Sequence, residues 1–444
     1  MHALRALALL APLLWSCAGP DLTSRHRDQE DAWRRAAPAQ SASDDLFAGH
    51  AALDRQALIA AVLARNPSIG AARWAWRAAL ARYPQETALD DPMLEYGVAP
   101  LSLGSSRVDT AQRAVLSQAI PFPGKLALRG EIALAEADAA ASDFAAVRLR
   151  LATLASLLFD EYYLVERKLG VNEAHRTLLA ELREIAVARY EAGTASQQDP
   201  LEAELEEAEL LHRDVMLRAD RAITADQINA LLHRSPELPL PPPPETLEAR
   251  AATSEPREAL VAHALAKRPE LRAAEARVAA REAAVALAQR EFLPDLRLMG
   301  TYDSFWEESE LQPMLGVELN LPLRRARRHA AVAEAEASLE QARSERAGTD
   351  DQVRLSVGRA LERLAEAHHA LEIVRDRKLP AARDRVDAAR AAFETGQSDF
   401  SALVDAERTL RDAELDQEET LVELSRRHAE LARAVGALPG GAIP

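Results

Sequence analysis

The sequence predicts a mainly α-helical protein with a small transmembrane β part, made of two copies of one strand-hairpin and long-helical-hairpin unit. Three observations carry this. Residues 57–97 (ALIAAVLARNPSIGAA…DPMLEYG) return as residues 259–300 (ALVAHALAKRPELRAA…LPDLRLMG), and Tyr190-Glu191-Ala192-Gly193 is answered by Phe393-Glu394-Thr395-Gly396. Each copy holds two short segments that alternate with a period of two. Each also holds a helical run far beyond the globular average of about 12 residues. Such a wide spacing is not that of a solenoid, whose period is about 20–50 residues. One large unit has been duplicated, and an internal pseudo-two-fold is expected.

Composition agrees with long helices. The 444 residues are 48% hydrophobic and 28% charged but only 4% aromatic, with Ala, Leu, Glu and Arg abundant, as in close helical packing. A formal net charge of -16 excludes nucleic acid as the expected partner, because phosphate recognition needs a basic surface. The single cysteine, Cys17, excludes an internal disulfide and any cysteine-cluster metal site.

The chain opens with His2 and Arg5 and an apolar run over 6–14. A positive start and a short apolar run read as a signal peptide over 1–16, too short to span a bilayer. Leu14-Trp15-Ser16-Cys17 resembles a bacterial lipobox, with Trp15 unusual at its place. Cys17 would then be the lipidated first residue of the mature chain. Ala18 follows rather than Asp, which resembles sorting to the outer membrane. Residues 17–50 are polar and rich in Pro, Ser and Asp, and read as a flexible tether.

The first repeat spans 51–236. Helical periodicity begins near Asp54, and Pro67 and Pro269 mark the starts of matching helices. Strands are expected at 93–98 and 108–120. Their counterparts at 295–303 and 313–321 alternate more clearly. Leu296, Leu298, Gly300 and Tyr302 face one way, and Asp295, Arg297, Thr301 and Asp303 the other. Leu315, Val317, Leu319 and Leu321 oppose Met314, Gly316, Glu318 and Asn320. Period two means strand pairs. Strands of ~9–11 residues with one apolar face fit a transmembrane β-barrel; a soluble hairpin on a helical protein is the alternative.

A proline-marked corner follows each strand pair. Pro121-Phe-Pro-Gly-Lys125 leads into a long helix over 122–192, and Leu321-Pro-Leu323 into one over 323–395. Phe144, Val147, Leu151, Leu154, Leu158, Tyr162, Val165 and Leu169 alternate three and four apart, as do Val353, Val357, Leu361, Leu364, His368 and Leu371. Both are coiled-coil seams. Gly193 and Gly396 punctuate as C-cap glycines, and return helices follow over 197–232 and 399–435. A proline-rich linker at 237–252 separates the repeats. The second repeat covers 253–436, and 437–444 is a C-terminal tail.

Four strands cannot close a barrel. A sheet in lipid cannot leave backbone groups unpaired at several kcal/mol each, and barrels begin at about eight strands. Several chains must share one barrel, closed by cyclic symmetry. Four strands from each of three chains would give a wide, open one.

Gln118-Ala-Ile-Pro-Phe-Pro-Gly-Lys125, Arg189-Tyr-Glu-Ala-Gly193 with Gln198-Asp199, and Gly396 with Asp399-Phe400, Leu403-Val404-Asp405 resemble the TolC family of outer-membrane efflux ducts. The likeness covers about 53–436. The Pro-Phe-Pro-Gly-Lys corner is similar to the heavy-metal efflux branch, related to the CzcC and CusC proteins. The resemblance implies a homotrimer with a twelve-stranded β-barrel in outer-membrane lipid, continued by an α-helical periplasmic barrel. It also implies docking to a periplasmic membrane-fusion adaptor and an inner-membrane efflux pump, of the RND type. The function implied is a passive exit channel for small solutes or metal cations. A duct for type I protein secretion, and a non-pore periplasmic coiled-coil scaffold lipoprotein, are the alternatives.

No catalytic constellation is present in the sequence: no HExxH, no P-loop and no Gly-x-Ser-x-Gly. No enzyme activity, cofactor or metal site is expected. His368 and His369 point about 100° apart on a helix and cannot face one ligand; His368 reads as an interface residue on the seam. No track of Met or His is read along the chain. In the family, aspartates just past the hairpin glycine line the tunnel's narrowest ring. Asp199 and Asp405 match that pattern, while Ala402 stands at the other second-copy position. Phe393 stands where the resemblance implies a tyrosine, and Ser398 where it implies an arginine. Glu202 shares a helix face with Asp199 and joins the candidate gate ring. Gly193, Thr194, Gly396 and Gln397 are the candidate adaptor-docking tips. Arg324, Arg325, Arg327 and Arg328 oppose the dipole at a helix start and read as lipid headgroup contacts. Phe305 and Trp306 read as an aromatic girdle or an outer lid.

Overall fold

The computed structural model describes residues 20–37, 46–47, 51–104, 106, 109–251 and 253–440; the signal segment and Cys17 lie outside them. The chain forms two compact units. One takes the described residues of Met1–Ala37, Ala72–Phe144 and Glu270–Thr349; the other takes those of Pro38–Ala71, Ala145–Pro269 and Asp350–Pro444.

The first unit holds a four-stranded antiparallel sheet in the order β1 (Met93–Val98), β2 (Gln112–Ile120), β3 (Leu296–Asp303) and β4 (Pro313–Leu319). The two copies meet at β2–β3, where Leu116 opposes Gly300 and Ser117 opposes Met299. β1 and β4 are the outer strands. β4 stops two residues earlier than expected: the Asn320 amide turns back to the Asp295 carbonyl (3.1 Å), and Pro322 has no N–H for a ladder. β2 begins at Gln112, later than the alternation suggested. Val108 lies outside the described residues.

The same unit holds α1 (Pro20–Arg35), α4 (Arg82–Thr87), most of α3 (Pro67–Leu80) and α8 (Pro269–Arg290), and the first parts of α5 (Lys125–Glu191) and α9 (Arg325–Ile373). The helix α1 corrects the expectation of a flexible tether over 17–50. Its stripe of Leu22, His26, Gln29 and Trp33 recurs four, three and four residues apart, which is one helical face. Leu22 is buried with Tyr83, Ala133 and Leu134. His26 stacks on Tyr83 at 4.6 Å, Gln29 donates to Asp138 (2.6 Å), and the Trp33 indole donates to the Arg73 carbonyl (3.0 Å). Average polarity concealed a stripe that is three-quarters polar, in which the Gln29 Oε1 alone is left without a hydrogen bond.

The second unit holds α2 (Arg55–Arg65), α6 (Gln198–Leu231), α7 (Arg257–Lys267), α10 (Leu379–Glu394), α11 (Phe400–Ala434) and the remainders of α5 and α9. The helix α5 has 67 residues, roughly 100 Å of continuous helix. It starts at Lys125 rather than 122 because Gly124 takes φ +90, which a helix cannot continue. Its buried stripe includes Leu151, Tyr162 and Val165 as the seam predicts. Leu154 is exposed, however, while Ala152, Ala155 and Phe159 are buried in its place. Small alanines let the helices approach closely on a broader front than a strict heptad.

The second long helix is not continuous. A π-helical turn, Val374–Lys378, separates α9 from α10. Pro380 cannot donate to the carbonyl four residues back, and the ladder widens to i→i+5 just before it. The first copy has no proline at the matching place and stays α-helical. Among the described residues, no helix is long and apolar enough to cross a membrane.

Candidate channel wall and helical tips

The pairing register sorts the sheet into two faces of opposite chemistry. One carries Leu94, Tyr96, Val98, Ala114, Leu116, Ile120, Leu296, Leu298, Tyr302, Leu315, Val317 and Leu319, with Gln112, Gln118, Gly300 and Pro313 between them. It bears no charge. The other carries Glu95, Arg113, Arg297, Asp303 and Glu318. Every charged residue of the four strands is therefore on one side. A soluble hairpin resting on helices would bury its apolar side; here Leu94, Leu315 and Val317 are 73%, 80% and 64% exposed. An open apolar face of this extent is a surface for lipid or a partner.

Tyr96 and Tyr302 lie in one row of the apolar face, at the end where β1 turns to β2 and β3 to β4. Their hydroxyls donate to Gln112 (2.8 Å) and Gln312 (3.1 Å). Each places an apolar ring with a polar tip at the edge of the apolar face. Phe305 and Trp306 are the residues expected from sequence as a girdle or an outer lid. Those residues sit in the β3–β4 loop, both exposed.

The polar face also carries three methionines. Met93 and Met299 both oppose Ser117, one from each side, and Met314 lies diagonally across from Met299. The pairing thus brings to one face residues two hundred positions apart. Nothing in linear spacing reveals it.

The corner after β2 is tied by Lys125, whose side chain is 1% exposed. Its ammonium meets Asp295 (2.9 Å) and Glu291 (3.2 Å) and donates to the Leu293 carbonyl (3.3 Å). Asp295 also accepts from the Phe122 amide (2.7 Å), and Arg290 donates to the Pro123 carbonyl (2.7 Å). The Pro-Phe-Pro-Gly-Lys motif thus locks the end of β2 to the junction between α8 and β3 in the other copy. At the second corner, Arg328 donates to the Glu291 carbonyl (2.7 Å). This separates it from Arg324, Arg325 and Arg327, which stay exposed. The four arginines are not equivalent.

Both helical tips close with the same motif. Gly193 and Gly396 take φ +72 and +73. The Thr194 and Gln397 amides reach back to the Arg189 and Ala392 carbonyls (2.9 and 2.8 Å), while the glycine amides reach Tyr190 and Phe393 (2.9 and 3.1 Å). This is the Schellman arrangement. The tips are held by a cluster of Leu182, Ala186, Ala203, Phe393, Phe400, Leu403 and Val404. Arg189 donates to the Phe393 carbonyl (3.2 Å) and places its guanidinium 4.3 Å over the Phe393 ring. Phe393, without a hydroxyl, secures the tip by packing and cation–π attraction.

The candidate ring residues separate. Asp199 is held above the ordinary carboxylate range by burial and by the charge of Asp399, against the pull of Arg189. Its acidic neighbour is therefore Asp399, at the N-cap of α11, a residue of the family-like motif that was not counted in the candidate ring. Asp405 is ion-paired with Arg385, whose other nitrogen donates to Thr409 (2.7 Å). Glu202 lies in the first turns of α6, partly buried. Within one chain the three carboxylates do not converge.

Further along, α6 and α11 are joined by Glu206, which accepts from Arg408 and Arg411 (both 2.6 Å); these hydrogen bonds outweigh burial and hold it below the usual range. Asp160 accepts from Arg55 through both oxygens (2.6 and 3.2 Å) and from Ser425 (3.0 Å). His368 meets not its neighbour but His428, at 5.7 Å and nearly perpendicular. An open groove of about 1200 Å³ is lined by Arg257, Arg359, Arg363, Glu362 and Ser356. The Ser356 hydroxyl donates back to the Val353 carbonyl (2.8 Å), so no base activates it. Among the described residues, no cluster of His, Cys, Asp and Glu could hold a metal ion.

Residues 260–437 match the family model described as outer membrane efflux protein. The fold is that of solved outer-membrane channels. The channel OprN superposes with a TM-score of 0.73 at 20% identity, over 92% of this chain and 95% of that one. CusC gives 0.74 at 16%, over 90% and 96%. VceC of Vibrio cholerae gives 0.73 at 18%, over 86% and 96%. None of the curated proteins searched matches the sequence.

Proposed function

We propose that the chain belongs to the outer membrane efflux family and is the passive exit channel of a tripartite efflux system. The observation that carries this is the division of the sheet into a charge-free apolar face and a face bearing every charge. A spanning β structure needs lipid on one side and water on the other. Four strands with two bare edges need further copies, and three chains supply twelve strands. The chain works as a homotrimer, with a barrel in outer-membrane lipid and helices continuing through the periplasm. A membrane-fusion adaptor docks at the tips around Gly193, Thr194, Gly396 and Gln397, and an RND-type pump supplies the driving force.

The lipid anchor at Cys17 belongs to the same reading. It is supported by α1, which begins three residues later and packs Leu22 on Ala133 and Leu134, about two turns into α5. The heavy-metal branch is supported by the corner motif and by the likeness to CusC. Arg324, Arg325 and Arg327, exposed beside the sheet, serve as headgroup contacts. The acidic gate is best drawn as Asp199 with Asp399, with Glu202 beside them and Asp405 restrained by Arg385.

Membrane extraction tests the central claim. The protein should stay in the membrane pellet in alkaline carbonate, dissolve in detergent, and run as three chains after cross-linking. Release by carbonate would reduce it to a peripheral coiled-coil scaffold.

A further inference from the structure

The stripe by which α11 meets the first helical hairpin is polar. Glu407, Arg411, Glu414, Glu418 and Ser425 recur along it at the three-and-four spacing of a helical seam. Toward α9 the same helix is apolar, with Leu424, Leu431 and Val435 packed among Val353, Val357 and Leu364. Most of the polar stripe is paired. Glu414 meets His175 (2.9 Å), and Glu418 accepts from Arg167 (3.1 Å) and Tyr163 (3.2 Å). Ser425 donates to Asp160 (3.0 Å), and Arg411 to Glu206 (2.6 Å).

Glu407 is the exception. It is 7% exposed. One oxygen accepts a long bond from Arg390 of α10 (3.3 Å), while Oε2 is buried with no hydrogen bond. The other charged groups that face it are already engaged. His175 on α5 is held by Glu414, and Glu206 on α6 takes both Arg408 and Arg411 of α11. The cavity among these side chains, about 20 Å³, has room for a single water at most, too little to hydrate a full charge. A neutral carboxyl is far cheaper to leave bare in such a place than an ion. Burial accordingly raises the Glu407 carboxyl above its ordinary range, against the pull of Arg390 and His175 and with the help of the Glu414 charge.

We propose that Glu407 is a proton-operated latch at the joint between the two helical hairpins, carrying a proton while α5, α10 and α11 are packed and releasing it when they part. The joint lies a few helical turns behind the Gly193 and Gly396 tips. Parting it admits water to the bare oxygen and leaves the apolar α9–α11 seam intact. The packed joint binds the proton more tightly than the parted one. Its advantage is therefore complete below the ordinary carboxyl value of 4.5 and is lost as pH rises through the raised value, which is the linkage of any group held neutral by burial. Acid holds the hairpins together, and a rise in pH loosens them.

As a control on flow, the latch rests on the exit-channel reading, and two measurements keep the claims apart. Hydrogen exchange of the full-length protein in detergent, corrected for the intrinsic pH dependence of exchange, follows the joint without needing a pore. Wild-type protection over 172–178 and 386–393 should fall as pH rises above 4.5, by up to about tenfold per pH unit for one linked proton. E407Q should hold that protection level across the range, and so should E407L, a second neutral replacement. A wild-type profile surviving in both variants overturns the proposal. So does a profile kept in both but abolished in D199N or H175Q, which would place the sensor at the tip acids or at the histidine. Conductance of the wild-type protein in planar bilayers is the second measurement, and it should rise over the same pH range. Absence of any pore there sinks the exit-channel reading, whatever exchange at the joint does.

Discussion

At the scale of single residues, ion pairing decides what each acidic side chain can do. Asp405 was legible in the sequence as a ring candidate, but its partner Arg385, twenty residues upstream on α10, was not. Replacing Asp405 with alanine removes one negative charge and frees a positive one. D405A should therefore weaken cation preference, and R385A should strengthen it, in reversal potentials across a salt gradient. Equal potentials for wild type and both variants would remove Asp405 from the permeation path. Asp199 behaves differently because burial and Asp399 raise its pKa. The folded tip then binds protons more readily than the unfolded chain. Its stability should rise as pH falls through that raised value toward 3.8, and D199N should flatten the trend in hydrogen exchange at the tips. His428 moves the opposite way. Burial pulls it down to about 4, with a backbone bond from Arg250 opposing and the charges of His368 and Arg250 assisting. The unfolded chain takes up its proton near 6.5 and the folded one only near 4. Stability is fully present above 6.5 and is lost between those values, a loss that H428L should largely abolish in thermal unfolding followed at pH 7 and pH 4.5.

At the scale of elements, what repeats along the chain was legible and what pairs across it was not. The strand at 93–98, both long helices and both glycine tips follow from period and punctuation, all local signals. The π turn before α10 could have been read from Pro380, and the helix α1 from its stripe, had composition not been given more weight. The methionine face and the Asp199–Asp399 pair depend on which strand or tip lies beside which, a relation no linear period encodes. Two elements make quantitative demands. No atom lies within 4 Å of a Cβ placed on Gly193 or Gly396, so alanine there costs backbone strain alone, about 1–2 kcal/mol. G193A and G396A should raise exchange rates at their own tip and leave the sheet unchanged. Lys125 is the opposite case, its cost lying in contacts. K125M leaves Asp295 and Glu291 facing each other without a counter-charge and should lower stability by about 1–3 kcal/mol, read as a drop in the thermal midpoint of the purified protein.

At the scale of the whole molecule, the duplication is a scaffold that its two copies use unequally. The first keeps an unbroken α5 and Asp199; the second breaks its helix at a π turn and carries Asp399 and Asp405. Any gating asymmetry should therefore follow the second hairpin. Substituting alanine for Pro380 should restore the α-helical ladder and slow exchange over 374–378, with no matching change in α5. Faster exchange there would show that the proline, not the surrounding packing, is what stabilises the turn.

The outer strands β1 and β4 set the order of events in the life of the protein. Each has one side of its backbone unpaired, and in the proposed channel the sheet between them would turn its apolar face to lipid. A lone chain cannot enter a bilayer without stranding those groups in hydrocarbon, and it cannot wait in water without offering two adhesive edges. Encounter with its copies must come before, or together with, insertion. Folding into the membrane should then depend steeply on concentration, and a short peptide copying either edge should act as a poison of assembly while leaving finished channels untouched.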